Sequence, residues 1–444
     1  MQQGDQRKRP SVHTIFSRIR NSQQYFLLNL LSGNADVLTP EEAAEWTNPE
    51  TGTGKQACER KYLMTAEEED AMYRESYLRF LEEREKEEIQ LFFVPSYACN
   101  FDCAYCYQKE YGPQGDFLTP AVTDAFFLFV KKYFAGRDKY ITLFGGEPLL
   151  KGEKHKEAIA YFVDKVHESG LSLAVVTNGY LLEEYIDILS KTSIREIQVT
   201  LDGTEQVHNV RRPLKGGLPT FESVVRGIDA CLLHDLPVNL RVVVDRENIN
   251  NIPALASFAI QKGWTQHPLF KTQLGRNYEL HHCQATQRLF TRKELNEHLY
   301  DLIIRYPYIK EFYKPPFSVA RYLAEQGQLP SPLFDSCPAC KTEWAFDYTG
   351  KIYPCTATVG KKGEEVGSFY PVAFLNEEAV ETWQQRDVVA IEACRQCPSQ
   401  LACGGGCGAV AKNKNGSVLS PDCRPVKELL EMGFSAYLLQ EENE

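Results

Sequence analysis

From residue 89 to residue 274, short apolar runs alternate with amphipathic stretches at near-regular spacing. The runs at 89–94, 140–144, 171–176, 196–201, 238–244 and 269–273 are nearly continuous, as expected of strands covered on both faces. Between them, 121–134, 155–168, 181–190, 221–234 and 252–262 repeat apolar residues at a helical period. This alternation predicts a parallel βα array. About six units fall short of a closed eight-fold barrel. The expected fold is therefore α/β, a partial (βα)6 TIM-like barrel with its chemistry at the C-terminal ends of the strands.

The pattern changes on either side. Residues 1–88 read as a small N-terminal module, with a strand at 25–31 and an exposed, Glu- and Arg-rich helix over 65–90. Another helix start is written in Thr39, Pro40, Glu41 and Glu42: an N-cap, a proline at the first position and acids in the first turn. Residues 89–283 form the barrel unit and 284–330 a helical bridge. Residues 331–444 are dense in Pro, Gly and Cys, with little periodicity before a closing helix at 424–439. Such a segment is expected to lack a large apolar core and to need metal centres to fold.

A formal charge of −11 argues against wrapping a phosphate backbone, so no nucleic-acid partner is expected. No apolar run approaches membrane-spanning length, and the most apolar stretch, 124–134, is broken by Lys131 and Lys132. The first ten residues are polar and lack a signal core, which places the protein in the cytoplasm, away from the membrane. In that reducing compartment the 14 cysteines do not read as a disulfide framework. Three fall within 99–106 and eight between 337 and 423, while Cys58, Cys231 and Cys283 stand alone. Clustering at short spacing points to metal.

The first cluster, Cys99-Asn-Phe-Asp-Cys103-Ala-Tyr-Cys106, follows the first strand directly. Three thiolates so close together can wrap one face of an iron–sulfur cubane and leave the fourth iron open to a substrate-derived ligand. A zinc knuckle is the alternative, but it normally wants a fourth Cys or His, and no histidine is near. The Cys-x3-Cys-x2-Cys spacing, with Tyr105 before the last cysteine, resembles the radical S-adenosylmethionine (SAM) superfamily. The resemblance implies a [4Fe–4S] cluster whose open iron binds SAM, and a one-electron cleavage that yields a 5′-deoxyadenosyl radical. Gly145, Gly146, Glu147 and Pro148 after the second strand resemble the family motif for the methionine amino group. Glycines let the backbone approach a ligand, and Glu147 either accepts from an ammonium or holds the turn. Thr177 and Asn178 end the third strand, Thr200 and Asp202 the fourth; both pairs resemble positions near the ribose and carboxylate of SAM. The resemblance extends to Arg211 as a bidentate partner of that carboxylate. Turn formation or capping is the alternative role for these polar strand ends.

The second group of cysteines resembles the SPASM extension of peptide-modifying radical SAM enzymes, which carries two auxiliary [4Fe–4S] clusters. By that resemblance Cys337, Cys340, Cys355 and Cys407 hold one, and Cys394, Cys397, Cys403 and Cys423 the other, for three clusters in all. Eight cysteines for two clusters leave no open position, which favours electron transfer and structure. Two zinc sites are the alternative. In the sulfatase-maturing branch an aspartate base follows the Gly-x4-Cys cysteine; here Thr356 follows Cys355, and Asp347 does not match.

Relatives often carry an N-terminal winged-helix-like module that binds a leader peptide by strand addition, and residues 1–88 fit it in length and position. The expected function is hydrogen abstraction from a ribosomally made precursor peptide, installing a thioether or carbon–carbon cross-link, with a flavodoxin or ferredoxin as electron donor. Maturation of a sulfatase-type residue or small-molecule dehydrogenation is the rival reaction, and a zinc-binding peptide adaptor the non-enzymatic alternative. Cys231 and Cys283 remain, by elimination, as hydrogen-atom donors for an epimerisation.

Overall fold

The computed structural model describes residues 7–47, 54–106, 108, 117–276 and 286–439; Cys283 lies outside them. At the N-terminus, β1 (Arg9–Pro10) pairs with β5 (Leu63–Met64), and β2 (Thr14–Arg18), β3 (Tyr25–Asn29) and β4 (Asn34–Leu38) form an antiparallel meander. The strand expected at 25–31 is β3. Its neighbours carry polar residues and escaped the sequence pattern. The helix Pro40–Thr47 begins where expected: Glu42 N donates to the Thr39 hydroxyl, and Thr39 N to the Glu42 carboxylate at 2.8 Å.

The helix Ala66–Lys86 differs from expectation in two ways. It stops short of residue 90 because Ile89 already pairs in the main sheet. It is also not exposed all round, since Tyr73, Tyr77 and Phe80 pack their rings against Phe334 of the Cys-rich region. The meander lies on the closing helix Val426–Tyr437, where Phe26 stacks on Phe434 at 4.6 Å and Arg20 N donates to Glu431 O. Both ends of the chain thus join a core continuous with the barrel.

Six strands run parallel, in chain order: β6 (Ile89–Val94), β7 (Lys139–Leu143), β8 (Leu173–Thr177), β9 (Ile194–Thr200), β10 (Val238–Val244) and β11 (Phe270–Arg276). The helices Pro120–Tyr133, Glu153–Glu168, Phe221–Leu233 and Ile252–Gln261 match the sequence pattern closely. The helix expected at 181–190 is instead a 3-10 segment, Leu182–Tyr185, running into one α-turn, Ile186–Leu189. Leu182 and Tyr185 are both fully buried, and their three-residue spacing is the 3-10 repeat. A further helix, Glu205–Arg211, lies after β9.

The Cys-rich region docks on the first strand. β12 (Glu343–Asp347) pairs parallel with β6, and β13 (Lys351–Tyr353), β14 (Gly367–Ser368) and β15 (Phe374–Leu375) extend the sheet antiparallel to ten strands. The sheet is open, with β11 and β15 as its edges. Contrary to expectation, this region buries substantial apolar surface of its own, including Phe346, Ile352, Trp383 and Ile391. It does so by sharing the barrel's core: Phe346 packs edge-on to Phe126 at 5.1 Å. Among the described residues no helix is long and apolar enough to cross a membrane.

Candidate active site

The loop after β6 carries Cys99, Cys103 and Cys106, all free thiols, with Cys103 buried and the others half-buried. It is laced to the segment after the helix Glu205–Arg211: Asp102 N donates to Pro213 O, Ala104 N to Arg211 O and Lys215 N to Asn100 O, at 2.8–3.2 Å. Asn178, just past β8, donates to Asn100 Oδ1 at 2.7 Å and faces Cys99 Sγ at 4.0 Å. Burial pushes the Cys99 thiol up to about 12, and Glu147, Cys103 and Cys106 push in the same direction. Buried thiols crowded in this way deprotonate when a cation takes them. The triad therefore fits a metal cluster by the chemistry of its donors.

The Gly145–Gly146 turn after β7 packs flush on the chain that leads to Cys99. Gly146 has φ +51°, and a Cβ there would fall against Ala98 O and 2.6 Å from Ser96 O. Only glycine fits both the conformation and the space. Glu147 is 1 % exposed and accepts from Thr177 Oγ1, Asn178 N and Leu149 N at 2.6–2.9 Å. Of the two roles open to it, the geometry shows it holding the turn and tying the end of β7 to that of β8. Burial pushes its carboxyl up to about 7, against these three donors.

Tyr105, Asp202 and Arg211 form one buried network. Tyr105 donates to Asp202 at 2.5 Å, Asp202 accepts from Val243 N, and Arg211 Nε reaches Asp202 at 3.4 Å. Arg211, expected as a partner of the SAM carboxylate, makes its contacts in this structure with carboxylates of the chain itself. It grips Asp245 bidentately at 2.8 and 3.0 Å and also donates to Glu247 and Val243 O. Its donors are spent on the strand ends of the barrel. The neighbouring Arg212, which the sequence reading passed over, donates to the Tyr105 hydroxyl at 2.6 Å and leaves a buried Nε with no partner. It also lies within electrostatic reach of the Cys103 thiol. An unpaired buried guanidinium nitrogen costs free energy unless a ligand meets it. Arg212 is thus the arginine that suits an incoming carboxylate. Thr200 is buried at the end of β9.

The eight C-terminal cysteines fall into two neighbourhoods. The Cys355 thiol is raised by burial first, then by Glu343, Cys337 and Cys407. Cys340 is likewise raised by burial, with Cys337 as its thiol neighbour. Burial pushes Cys394 up to about 11, assisted by Cys403, Cys397 and Cys423. Among the described residues no three His, Cys, Asp or Glu side chains close around a single ion, so the thiols of each set are neighbours without converging on a point. The two sets interleave along the chain, and the run Gly404, Gly405 and Gly406 makes that possible. All three have positive φ, and a Cβ on Gly404 would sit 2.7 Å from Ser336 N. Arg386, fully buried, braces these loops by donating to Gly405 O and Val418 O at 2.6 and 2.8 Å.

Thr356 donates through its N–H and hydroxyl to Glu343, a half-buried carboxyl whose pKa desolvation pushes up. Asp347, at the end of β12, accepts from Tyr97 and Tyr353 at 2.8 and 3.2 Å, joining the Cys99 loop to the Cys355 loop. Cys231 is fully buried on the helix Phe221–Leu233 and packs there as a small hydrophobe.

Residues 93–259 match the Radical SAM superfamily. GTP 3′,8-cyclase of Campylobacter jejuni is 31% identical over 170 residues, which cover 37% of this chain and 50% of the cyclase. The chain thus spans about half the length of the cyclases it matches. The cysteine-type anaerobic sulfatase-maturating enzyme of Clostridium perfringens is 24% identical over 373 residues, 76% of this chain and 94% of that enzyme. Among solved structures, native anSMEcpe with bound AdoMet and Cp18Cys peptide superposes with a TM-score of 0.60 at 20% identity, covering 81% of this chain and all of that one. Streptococcus suis SuiB bound to its precursor peptide SuiA gives 0.54 at 14% identity, covering 95% and 99%. The chain thus carries a Radical SAM domain over residues 93–259 and has the fold shared by anSMEcpe and SuiB.

Proposed function

We propose that this enzyme abstracts a hydrogen atom from a ribosomally made peptide and leaves it cross-linked through a thioether or carbon–carbon bond. The observation that carries the proposal is the joining of two features in one body: a thiol triad at the strand ends with the unpartnered Nε of Arg212 beside it, and a Cys-rich extension on the barrel's first edge. SuiB, which shares this fold across nearly the whole chain, is described with a precursor peptide bound. When bound, the [4Fe–4S] cluster supplies the electron that cleaves SAM to the hydrogen-abstracting 5′-deoxyadenosyl radical, and auxiliary clusters supply electron transfer.

Cys99, Cys103 and Cys106 would hold the first cluster. Cys337, Cys340, Cys355 and Cys407 would hold one auxiliary cluster, and Cys394, Cys397, Cys403 and Cys423 the other. Arg212 orients the SAM carboxylate, while Glu147, Thr177 and Asn178 fix the strand ends around its methionine portion. Tyr105, Asp202 and Arg211 support Arg212 from behind and exclude water from that side. An electron donor such as flavodoxin or ferredoxin and a reducing, cytoplasmic setting complete the reading. Residues 1–88 would take the leader of the precursor as an added strand.

Oxidation of a sulfatase residue is a second reading, favoured by the match to nearly all of the sulfatase-maturating enzyme. Thr356 speaks against it, because its side chain is bound to Glu343 and offers no base. The test is to incubate reconstituted enzyme, SAM and reductant with candidate peptides drawn from the reading frames beside its gene. The proposal expects one of them to lose two hydrogen atoms as 5′-deoxyadenosine forms. Unchanged peptides, with a co-encoded sulfatase converted to formylglycine, would transfer the assignment to the second reading.

A further inference from the structure

A cavity of about 630 Å³ opens between the Cys-rich region and the C-terminal ends of β10 and β11. Its walls carry Arg246, Arg276, Arg292, Lys293, Lys414 and Arg424, against only two carboxylates, Glu294 and Asp422. In a chain of net charge −11 this inverts the prevailing sign. The cations come from well-separated parts of the chain: the turn after β10, the end of β11, the first turn of the helix Arg292–Arg305, the last turn of the helix Gly408–Asn415, and the residue after Cys423. Such convergence is not the accident of one basic run.

The local ion pairs do not consume all of this charge. Arg246 pairs with Glu294 at 2.8 Å, Arg292 with Asp422 and Lys293 with Glu428 at 3.8 Å, while Arg276 donates to Phe290 O at 2.7 Å. Lys414 has no partner among the described residues. Arg424 reaches the Ser336 hydroxyl at 3.4 Å and keeps a buried Nε without a partner. Low-dielectric walls lined by one sign of charge concentrate ligands of the other sign. The cavity is also tied to the radical site: Arg246 follows Asp245, which holds Arg211, which stacks over the Tyr105 ring at 5.1 Å.

We propose that this cavity receives an acidic stretch of the substrate peptide, whose Asp and Glu side chains are met by Lys414 and Arg424. The inference rests on the peptide reading above and adds the specificity of that substrate. Peptide carboxylates fit better than a phosphate group. The cations are dispersed around the walls, and of the two helix N-termini here, that of Arg292–Arg305 already holds the Glu294 carboxylate in its capping box, while that of Val426–Tyr437 begins at Pro425, which has no N–H to offer a phosphate.

The test uses the full-length, anaerobically reconstituted enzyme and fluorescein-labelled hexaglutamate, with hexaglutamine as the neutral probe, read by anisotropy. Hexaglutamate should bind about ten-fold tighter or more, and its affinity should fall steeply with added salt. The double reversal Lys293→Glu with Lys414→Glu, both on exposed side chains, should weaken it by about ten-fold. Lys151→Glu, exposed and remote from the cavity, should not. Equal binding of the two probes, or an unchanged Kd in the double variant, overturns the acidic site and leaves the peptide reading standing. Displacement of hexaglutamate by GTP at lower concentration than by unlabelled hexaglutamate overturns it in favour of a phosphate ligand. Failure of the peptide reading shows separately, as the absence of hydrogen loss from a peptide in the assay above.

Discussion

Replacing Gly146 by alanine separates two costs that the structure makes distinct. Any L-residue at φ +51° pays about 1 kcal/mol for the left-handed conformation. The added Cβ would also lie against Ala98 O, 2.6 Å from Ser96 O and 2.8 Å from Tyr97 C. These are backbone atoms and cannot swing aside. Relief requires the chain entering Cys99 to shift by about half an ångström, the tolerance of a catalytic constellation. Overpacking of this kind costs about 1–3 kcal/mol, for a total near 2–4 kcal/mol. Misplacing the first thiol should lower cofactor cleavage by about a hundred-fold. Gly33→Ala is the control: φ is +73°, nothing lies within 4 Å of the new Cβ, and the site is in the N-terminal meander. It should lose about 1 kcal/mol and keep its cleavage rate. Urea unfolding of the holoenzyme and 5′-deoxyadenosine release under reductant measure both effects. A Gly146→Ala enzyme that cleaves SAM at the parent rate, with a stability loss no larger than that of Gly33→Ala, refutes the close-packing argument.

Arg212→Lys keeps the charge but loses the fork, and should weaken SAM binding by about ten-fold or more in calorimetric titration; an unchanged Kd would remove Arg212 from the cofactor site. Arg211→Ala should instead act on stability, by about 3–5 kcal/mol, because Asp202 and Asp245 are left buried without their cation. Tyr97→Phe removes one donor from buried Asp347 and should cost about 1–3 kcal/mol in urea unfolding; a loss under about 0.5 kcal/mol would mean the bridge between the two cysteine loops is idle. His208 is fully buried, accepts from Asp202 N at its Nδ1, and is held well below its ordinary pKa by burial, then by Arg212 and Arg211. A depressed folded-state pKa means that stability is present above about pH 6.5 and is lost on acidification, with a slope of up to about 1.4 kcal/mol per pH unit from this group. His208→Gln should flatten that slope; an identical slope in the variant would show that the histidine does not set it.

The barrel was legible because its strands are buried on both faces. Val238–Val244 is unbroken in its apolar pattern except for Asn239 and Arg241, and its observed ends coincide with the sequence reading. The three thiols of 99–106 were legible for another reason: metal-ligand spacing is a local property. What failed depends on contacts between distant segments. Arg211 and Arg212 are adjacent, and only the phase of a short helix decides which meets Asp245 and which faces Cys103. The apolar content of the Cys-rich region was underestimated because Phe346 finds its partners, Phe126 and Phe129, in the barrel. The meander strands β2 and β4 lack continuous apolar runs, and take their order from pairing with β3. The basic cavity has no local signature, since its residues span positions 246 to 424.

The central claim is radical chemistry at the Cys99, Cys103 and Cys106 loop, and iron content measured beside 5′-deoxyadenosine release tests it most directly. The account predicts a brown, anaerobically reconstituted protein with about twelve irons, as three four-iron clusters require, that releases 5′-deoxyadenosine from SAM under reductant. Changing all three cysteines to alanine should abolish that release while about eight irons remain in the Cys-rich region. A colourless protein that holds only zinc, or a triple variant that still cleaves SAM, would contradict it.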